Sequence, residues 1–485
     1  MQIPPVRLPA DNPPGQALDL PAGSSALLPP VLSGSLHDRL QRSPAWVFIL
    51  YVSLTSFVVY TCMYGFRKPF TAASFEGISL FGISYKVVLV ISQVLGYMLS
   101  KFYGIRFIAG MQPAKRAGFI IRLILTSWIS LLLFALVPAP YNFVFMFING
   151  LPLGMVWGLV FGFVEGRKAT EVMGAVLATS FVFASGLAKT VGKSLMLYAH
   201  VSEGWMPFVA GAVFVGPLLL STWLLNQTPP PTPEDIAQRT IRLPMGKEQR
   251  RNFLRIFGFA LIPVIIAYVM LTVLRDFTED FANELWAETG FRNNADVFAG
   301  TSTIVSLIVL AVIGGFFLIK NNYKAFQLNN VIIIGGFLLA AGATGAFHLH
   351  LISPVAWIIT ASAGLYLGYV PYNCFYFERM LAAYKIPGNV GFLIYIADAF
   401  GYLGTVAVLL VKEFIKIKYT WVDFFTGMFY FAAAAGILFV LWGSVLFTKI
   451  YRNQNQEPLE APGSIDERDG PRDEGPAKLR PEVNY

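Results

Sequence analysis

Twelve apolar runs, each long enough to cross a bilayer, constrain this chain more than any other feature. They lie near residues 45–66, 85–108, 117–137, 141–165, 172–198, 205–226, 253–275, 296–319, 327–347, 353–377, 388–411 and 421–448. A helix rises 1.5 Å per residue, so about 20 apolar residues cover the hydrocarbon core. The chain is 55% hydrophobic and 13% charged, with 42 Phe, where a soluble domain carries about a quarter charged residues. In 485 residues that deficit does not fit one buried core, so much of the surface must meet lipid. The sequence predicts an all-α membrane protein of twelve transmembrane helices, with the lipid bilayer as its solvent and no nucleic-acid partner.

The runs fall into two sets of six. Between the sixth and seventh, residues 227–252 are rich in proline and basic residues, which suits a cytosolic linker. The expected organisation is a flexible N-terminal tail over 1–43, one half over 44–226, the linker over 227–252, a second half over 253–450, and a charged, disordered tail over 451–485. The first apolar run begins only near Ala45, so no secretory leader is expected. Loop cations set the orientation. Connections 2–3, 4–5, 6–7, 8–9 and 10–11 and the C-terminal flank hold about twenty Lys and Arg, against about eight on the other side. Lys115, Arg116, Arg167, Lys168, Arg250, Arg251, Lys320 and Lys324 lie on the richer side. Both termini are therefore expected in the cytoplasm, as an even number of spans requires.

The halves look like repeats. Tyr60 and Arg67 at the end of span 1 match Tyr268 and Arg275 in span 7 at the same separation. "FGFVEGRK" closes span 4 and "FYFERM" closes span 10, each placing a Glu and then a basic residue at the exit. A parallel six-span repeat is the organisation of the major facilitator superfamily, with its binding site between the halves near mid-membrane. Span 4 also carries Gly150, Gly154, Gly158, Gly162 and Gly166, and span 10 carries Gly364 and Gly368. Small residues every fourth position make a smooth helix face that a neighbouring backbone can approach.

Charges inside the apolar runs carry the chemistry. An ionised group at the bilayer centre costs about 2.5–3.5 kcal/mol on insertion scales, so it needs a partner, a wet cavity or a function. The candidates are Arg67 with Lys68, Lys101, Lys189, Arg275 and Asp398. Two readings compete for the arginines. Each closes a run of about 22 residues and could reach the interface with its head in water. If the helices instead continue through "RKPFTAASFEG" and "RDFTEDFANELW", the two guanidiniums move inward and face each other across the pseudo-twofold. Planar guanidiniums suit bidentate bonds to phosphate or carboxylate. Lys101 is divided evenly between the site and a snorkelling place at the end of span 2. Asp398 reads as an ion-pair partner of Lys189, as a proton-coupling carboxylate, or as a lone acid in a wide cavity.

Cys62 and Cys374 lie in apolar runs and read as small packing residues. His348 and His350 lack a carboxylate or thiol neighbour, so no metal and no cofactor are expected. The usual cues of a hydrolase or a nucleotide-binding loop are missing, and the chain does not read as an enzyme.

"YTCMYGFRKPF" (60–70) resembles the first span of the organophosphate:phosphate antiporters, the bacterial glycerol-phosphate and hexose-phosphate exchangers. "VLRDF" (273–277) is similar to the family's segment carrying the second arginine, and "GYMLSKF" (96–102) resembles its Tyr-x-x-x-Lys. The resemblance implies anion-binding roles for Arg67, Arg275 and Lys101, with Tyr60, Tyr64 and Tyr97 lining the cavity; Tyr268 follows as the repeat partner of Tyr60. The sequence departs from the family in four places, the first of which is Asp398, an acid in span 11. It lacks the superfamily's loop 2–3 signature, it has Lys189 where the antiporters carry a span-5 histidine, and Thr272 stands at the usual tyrosine before the second arginine. The expectation is a monomeric antiporter in the cytoplasmic (inner) membrane, exchanging a phosphorylated metabolite for phosphate. Two alternatives stay open: a proton-coupled symporter of carboxylates, sugars or peptide fragments, and a transporter-like receptor for a sugar phosphate.

Overall fold

The computed structural model describes residues 35–109, 111–167, 169–232, 235, 247–385, 390–415 and 420–456. Most of both expected tails, the middle of the expected linker and Lys168 lie outside the described residues. Among those described, twelve helices are long and apolar enough to cross a membrane. Spans 1 to 6 run Ala45–Tyr64, Tyr85–Gly104, Pro113–Leu136, Phe143–Val164, Thr170–Tyr198 and Met206–Asn226. Spans 7 to 12 run Phe253–Asp280, Asp296–Phe316, Asn322–His348, Pro354–Ala383, Leu393–Phe414 and Trp421–Gln454. The protein is an all-α membrane protein of two six-helix halves, the major facilitator fold.

Several boundaries differ from the sequence reading. A short helix, Ser35–Gln41, lies within the expected N-terminal tail; its Leu40 is buried and His37 meets the Gln227 carbonyl at 3.1 Å. The helix carrying span 7 starts at Lys247, inside the expected linker, and runs to Asp280 without a break. Span 12 is helical to Gln456, past the expected start of the C-terminal tail. At span 7 a run of good helix formers, Lys247–Arg251, starts the helix ahead of the first apolar residues, where hydropathy falls silent.

The halves meet along two seams: span 2 lies against span 11, and span 5 against span 8. At the second seam Thr190 donates its hydroxyl to the Ala295 carbonyl at 2.8 Å and accepts the Ala299 N–H at 3.0 Å. Gly186 is required there, because a methyl group on it would stand 2.4 Å from the Phe298 carbonyl.

The glycine strip of span 4 seats span 2. A methyl on Gly150 would come within 2.2 Å of the Gln93 carbonyl, and one on Gly154 within 2.7 Å of the Tyr97 carbonyl. In the second half the corresponding close approach joins Gly364 of span 10 to Gly336 of span 9. The repeat therefore keeps its small residues but uses them against a different neighbour.

The loop after span 1 folds back as a two-strand hairpin, Ser79–Leu80 with Ile83–Ser84, in the register Ser79↔Ser84 and Leu80↔Ile83. Its two central residues, Phe81 and Gly82, have φ of 55° and 77°, as a two-residue turn matched to strand twist demands.

Candidate functional site

Span 1 ends at Tyr64 and does not continue through "RKPFTAASFEG" (67–77). Arg67 and Lys68 sit on the turn that follows, with both backbone N–H groups bonded to the Tyr64 carbonyl at 3.0 and 2.9 Å. This corrects the expected continuous helix: Arg67 comes inward on a broken helix. Backbone carbonyls freed by such a break must be satisfied where water is excluded. The Gln93 amide donates to the Arg67 carbonyl at 3.0 Å, and the Asn149 amide donates to the Phe66 carbonyl at 3.1 Å. Gln93 and Asn149 bond each other at 2.8 Å, and Asn149 also reaches the Ser127 hydroxyl at 2.6 Å. Spans 2, 3 and 4 thus hold the turn that presents Arg67.

The Arg67 side chain is 4% exposed. Its guanidinium lies 4.1 Å from the Tyr97 ring centre and 5.6 Å from that of Tyr64. It pairs with no carboxylate among the described residues, and its Nε has no hydrogen-bond partner. Snorkelling to the interface is excluded by this burial.

Arg275 lies on the continuous helix of span 7, as that reading required, but it is not free. Its Nε and Nη2 bond Asp276 Oδ1 at 3.1 and 2.5 Å, and its Nη1 donates to the Tyr369 hydroxyl. The guanidinium also lies 4.5 Å from the centre of the Tyr369 ring. Asp276 accepts from Thr405 on its other oxygen at 2.7 Å.

Lys101 is buried rather than snorkelling, and it pairs with Asp398 across the span 2–span 11 seam. Asp398 also accepts from the Tyr268 hydroxyl. The expected Lys189–Asp398 pair does not form. Span 11 faces span 2 while span 5 faces span 8, so Lys189 reaches the Glu279 carbonyl instead, at 2.9 Å. Asp398 is likewise not a lone acid in a wide cavity.

Arg67, Arg275, Lys101 and Asp398 share one small central cavity of about 20 Å³. Tyr60, Tyr64 and Tyr97 line it from the first half, with Trp157 and Phe181; Tyr369, Asn373 and Tyr402 close it from the second. Tyr268 stands behind this lining, stacked on Tyr369 with ring centres 5.5 Å apart. Asn373 sits on a π-helical turn, Tyr372–Tyr376, directly after Pro371. Such turns interrupt the regular ladder and recur at functional sites.

Both ends of the cavity are tied across the halves. At the end holding the 1–2 loop, Lys68 meets Asp280 at 2.5 Å and Glu279 at 3.2 Å, and Lys86 meets Glu284 at 2.5 Å. At the end holding the termini, Arg379 meets Glu171 at 2.9 Å and Asn322 at 2.7 Å. The central cavity is therefore occluded. A volume near 20 Å³ holds about one water by the usual measure.

Sequence reasoning missed Asp276, Glu279, Asp280 and Glu284, although "RDFTEDFANE" displays all four beside the second arginine. It also missed Tyr369, Tyr402, Gln93 and Asn149, whose roles depend on which spans touch.

The fold resembles solved transporter structures. The D-xylose-proton symporter superposes with a TM-score of 0.54 at 16% identity, over 83% of this chain and 97% of that one. The human organic anion transporter MFSD10 (TETRAN) gives 0.51 at 14%, over 84% and 100%. A POT family transporter in complex with a thioalcohol-conjugated peptide gives 0.53 at 12%, over 83% and 96%. These likenesses establish the architecture alone. No curated protein matches the sequence. One family model does, over residues 69–450, which takes in span 2 through most of span 12 and leaves out span 1 with Arg67 and Lys68, and by that match the chain belongs to the family of unknown function DUF5690.

Proposed function

We propose that the protein is a secondary transporter that carries a small organic anion by alternating access, with Arg67 as the anchor. One observation carries this reading: a buried guanidinium, stacked on Tyr97, that faces the central cavity with no carboxylate partner. A buried charge left uncompensated costs several kcal/mol, and a bound anion removes that cost. Around the cavity stand three cations, Arg67, Arg275 and Lys101, and two carboxylates, Asp276 and Asp398. Three minus two leaves one positive charge for the solute. The aromatic lining suits the face of a sugar or ring beside the anionic head.

A phosphorylated metabolite exchanged for phosphate is the finer form of this reading, and it draws on the resemblance of spans 1, 2 and 7 to the organophosphate:phosphate antiporters. A doubly charged phosphate gains a second guanidinium only if Arg275 turns from Asp276. Such exchange of partners, with the two ties opening in turn, is a route to alternating access. Cytoplasmic termini, read from the loop cations, and an inner-membrane location, drawn from the same resemblance, belong to this proposal, as does function as a monomer.

The test is uptake of radiolabelled phosphate into proteoliposomes loaded with phosphate or with buffer alone. Uptake that needs internal phosphate supports exchange, and Arg67→Gln should abolish it. No uptake by folded protein removes phosphate as a substrate.

A second reading has its own observation, the buried Lys101–Asp398–Tyr268 cluster on the seam between the halves. Protonating Asp398 would release Lys101, which is the element a proton-coupled symporter needs. Uptake that collapses with an uncoupler and in Asp398→Asn would favour it.

A further inference from the structure

A second cavity, of about 50 Å³, lies between spans 5, 7, 8 and 10, apart from the central one. Lys189 and Ser185 line it from the first half; Ser302, Ser362, Thr301 and Tyr366 line it from the second. Ser185 and Lys189 are four residues apart and share one helix face. Ser185 is 2% exposed, and its hydroxyl has no hydrogen-bond partner. Lys189 is 4% exposed and spends one proton on the Glu279 carbonyl at 2.9 Å. It forms no ion pair among the described residues. A buried ammonium has three donors, so two remain beside an orphaned serine hydroxyl.

The one acid on this lining, Glu279, is already compensated. Its carboxylate accepts from the Tyr366 hydroxyl at 2.7 Å and meets Lys68 at 3.2 Å. Across this layer the first half supplies Lys68, Lys86, Lys189 and Lys193, and the second supplies Glu279, Asp280 and Glu284. Four minus three leaves one cation in excess; Lys68 takes two of the carboxylates and Lys86 the third, Lys193 turns to the Asn283 amide oxygen at 3.0 Å, and Lys189 alone of the four lines the chamber.

We propose that this chamber binds a monatomic monovalent anion of chloride size, held by the Lys189 ammonium and the Ser185 hydroxyl. About 10–15 Å³ admits one water-sized sphere, so the chamber has room for a halide with a water or two, and two ammonium donors beside one hydroxyl suit a single small charge. Ser302 lines the same chamber from span 8, so an ion held there by span 5 lies on the seam between the halves and stabilises the state in which this end is closed.

The experiment measures thermal unfolding of the full-length protein in detergent while sodium bromide replaces sodium gluconate at constant ionic strength. A ligand that binds only the folded state raises the midpoint in a saturable way. We expect a rise of a few degrees that saturates in the millimolar range, disappears in Lys189→Met, shrinks in Ser185→Ala and persists in Arg67→Gln. Ser185→Ala removes a single oxygen, so it reports even where Lys189→Met fails to fold. An unchanged midpoint, a shift that never saturates, or an equal shift in Ser185→Ala would overturn the proposal. A shift lost in Arg67→Gln but kept in Lys189→Met would place the ion in the central cavity and equally overturn it.

Discussion

Arg67 and Lys101 are both buried cations, yet substitution should separate them. Arg67 stacks on Tyr97 and lacks a carboxylate, so its loss removes a ligand contact more than a structural one. Arg67→Gln should leave folding intact and abolish uptake. Arg67→Lys keeps the charge but loses the planar stack and the bidentate fork. Removing a contact worth about 1.4 kcal/mol should raise KM about tenfold with kcat less affected, as concentration-dependent uptake would show. Lys101 is different, because it neutralises Asp398. Leaving a buried carboxylate unpaired costs about 3–5 kcal/mol, so Lys101→Gln should lower the thermal midpoint, and Lys101→Gln with Asp398→Asn should recover much of it. A double variant no more stable than Lys101→Gln would show that the pair carries no such energy. The cations were legible in the sequence because a charge in an apolar run is conspicuous. Their partners were not, since Asp398 stands 297 positions from Lys101 and only the packing of spans brings them together.

At the scale of helices, the sequence showed that span 4 has a smooth face and left open which neighbour uses it. Gly150→Val forces a branched side chain against the Gln93 carbonyl, which lies 2.2 Å from the first added carbon. Overpacking of this kind costs about 1–3 kcal/mol, and spans 2 and 4 would also lose the register that lets Gln93 and Asn149 hold the Arg67 turn. The expected result is a thermal midpoint several degrees lower together with weaker uptake. Gly118→Val is the control, because the first added carbon there meets nothing within 4 Å; an equal loss in both would mean that the branched side chain itself, not close approach, is at work. The span ends were the least legible feature. Span 1 stops at Tyr64 because side-chain amides from distant spans take over its carbonyls, whereas span 7 keeps its ladder to Asp280. The two segments match at Tyr and Arg alike, and the local difference between them is Gly65 and Pro69, which punctuate the first and have no counterpart in the second.

The whole molecule is an occluded state tied at both ends, and the ties set the balance between its conformations. Removing two of them at the 1–2 loop end, with Lys68→Gln and Lys86→Gln, leaves Glu279, Asp280 and Glu284 without their cations. That end should then open. Spin labels at the exposed Ser202 and Asn293 would report a longer and broader distance distribution; an unchanged one would show that apolar packing, not charge, holds the end shut. Twelve spans, two halves and the membrane setting could be read from apolar periodicity alone, whereas the ties could not, because each joins residues from different halves. The single surplus positive charge around the central cavity has a final consequence. A carrier that reorients empty moves that charge through the membrane field, which is worth up to about 2.3 kcal/mol per 100 mV. A monoanion in the cavity cancels it. Strict exchange should therefore be silent electrically, while net transport should carry current and feel the voltage on its empty return.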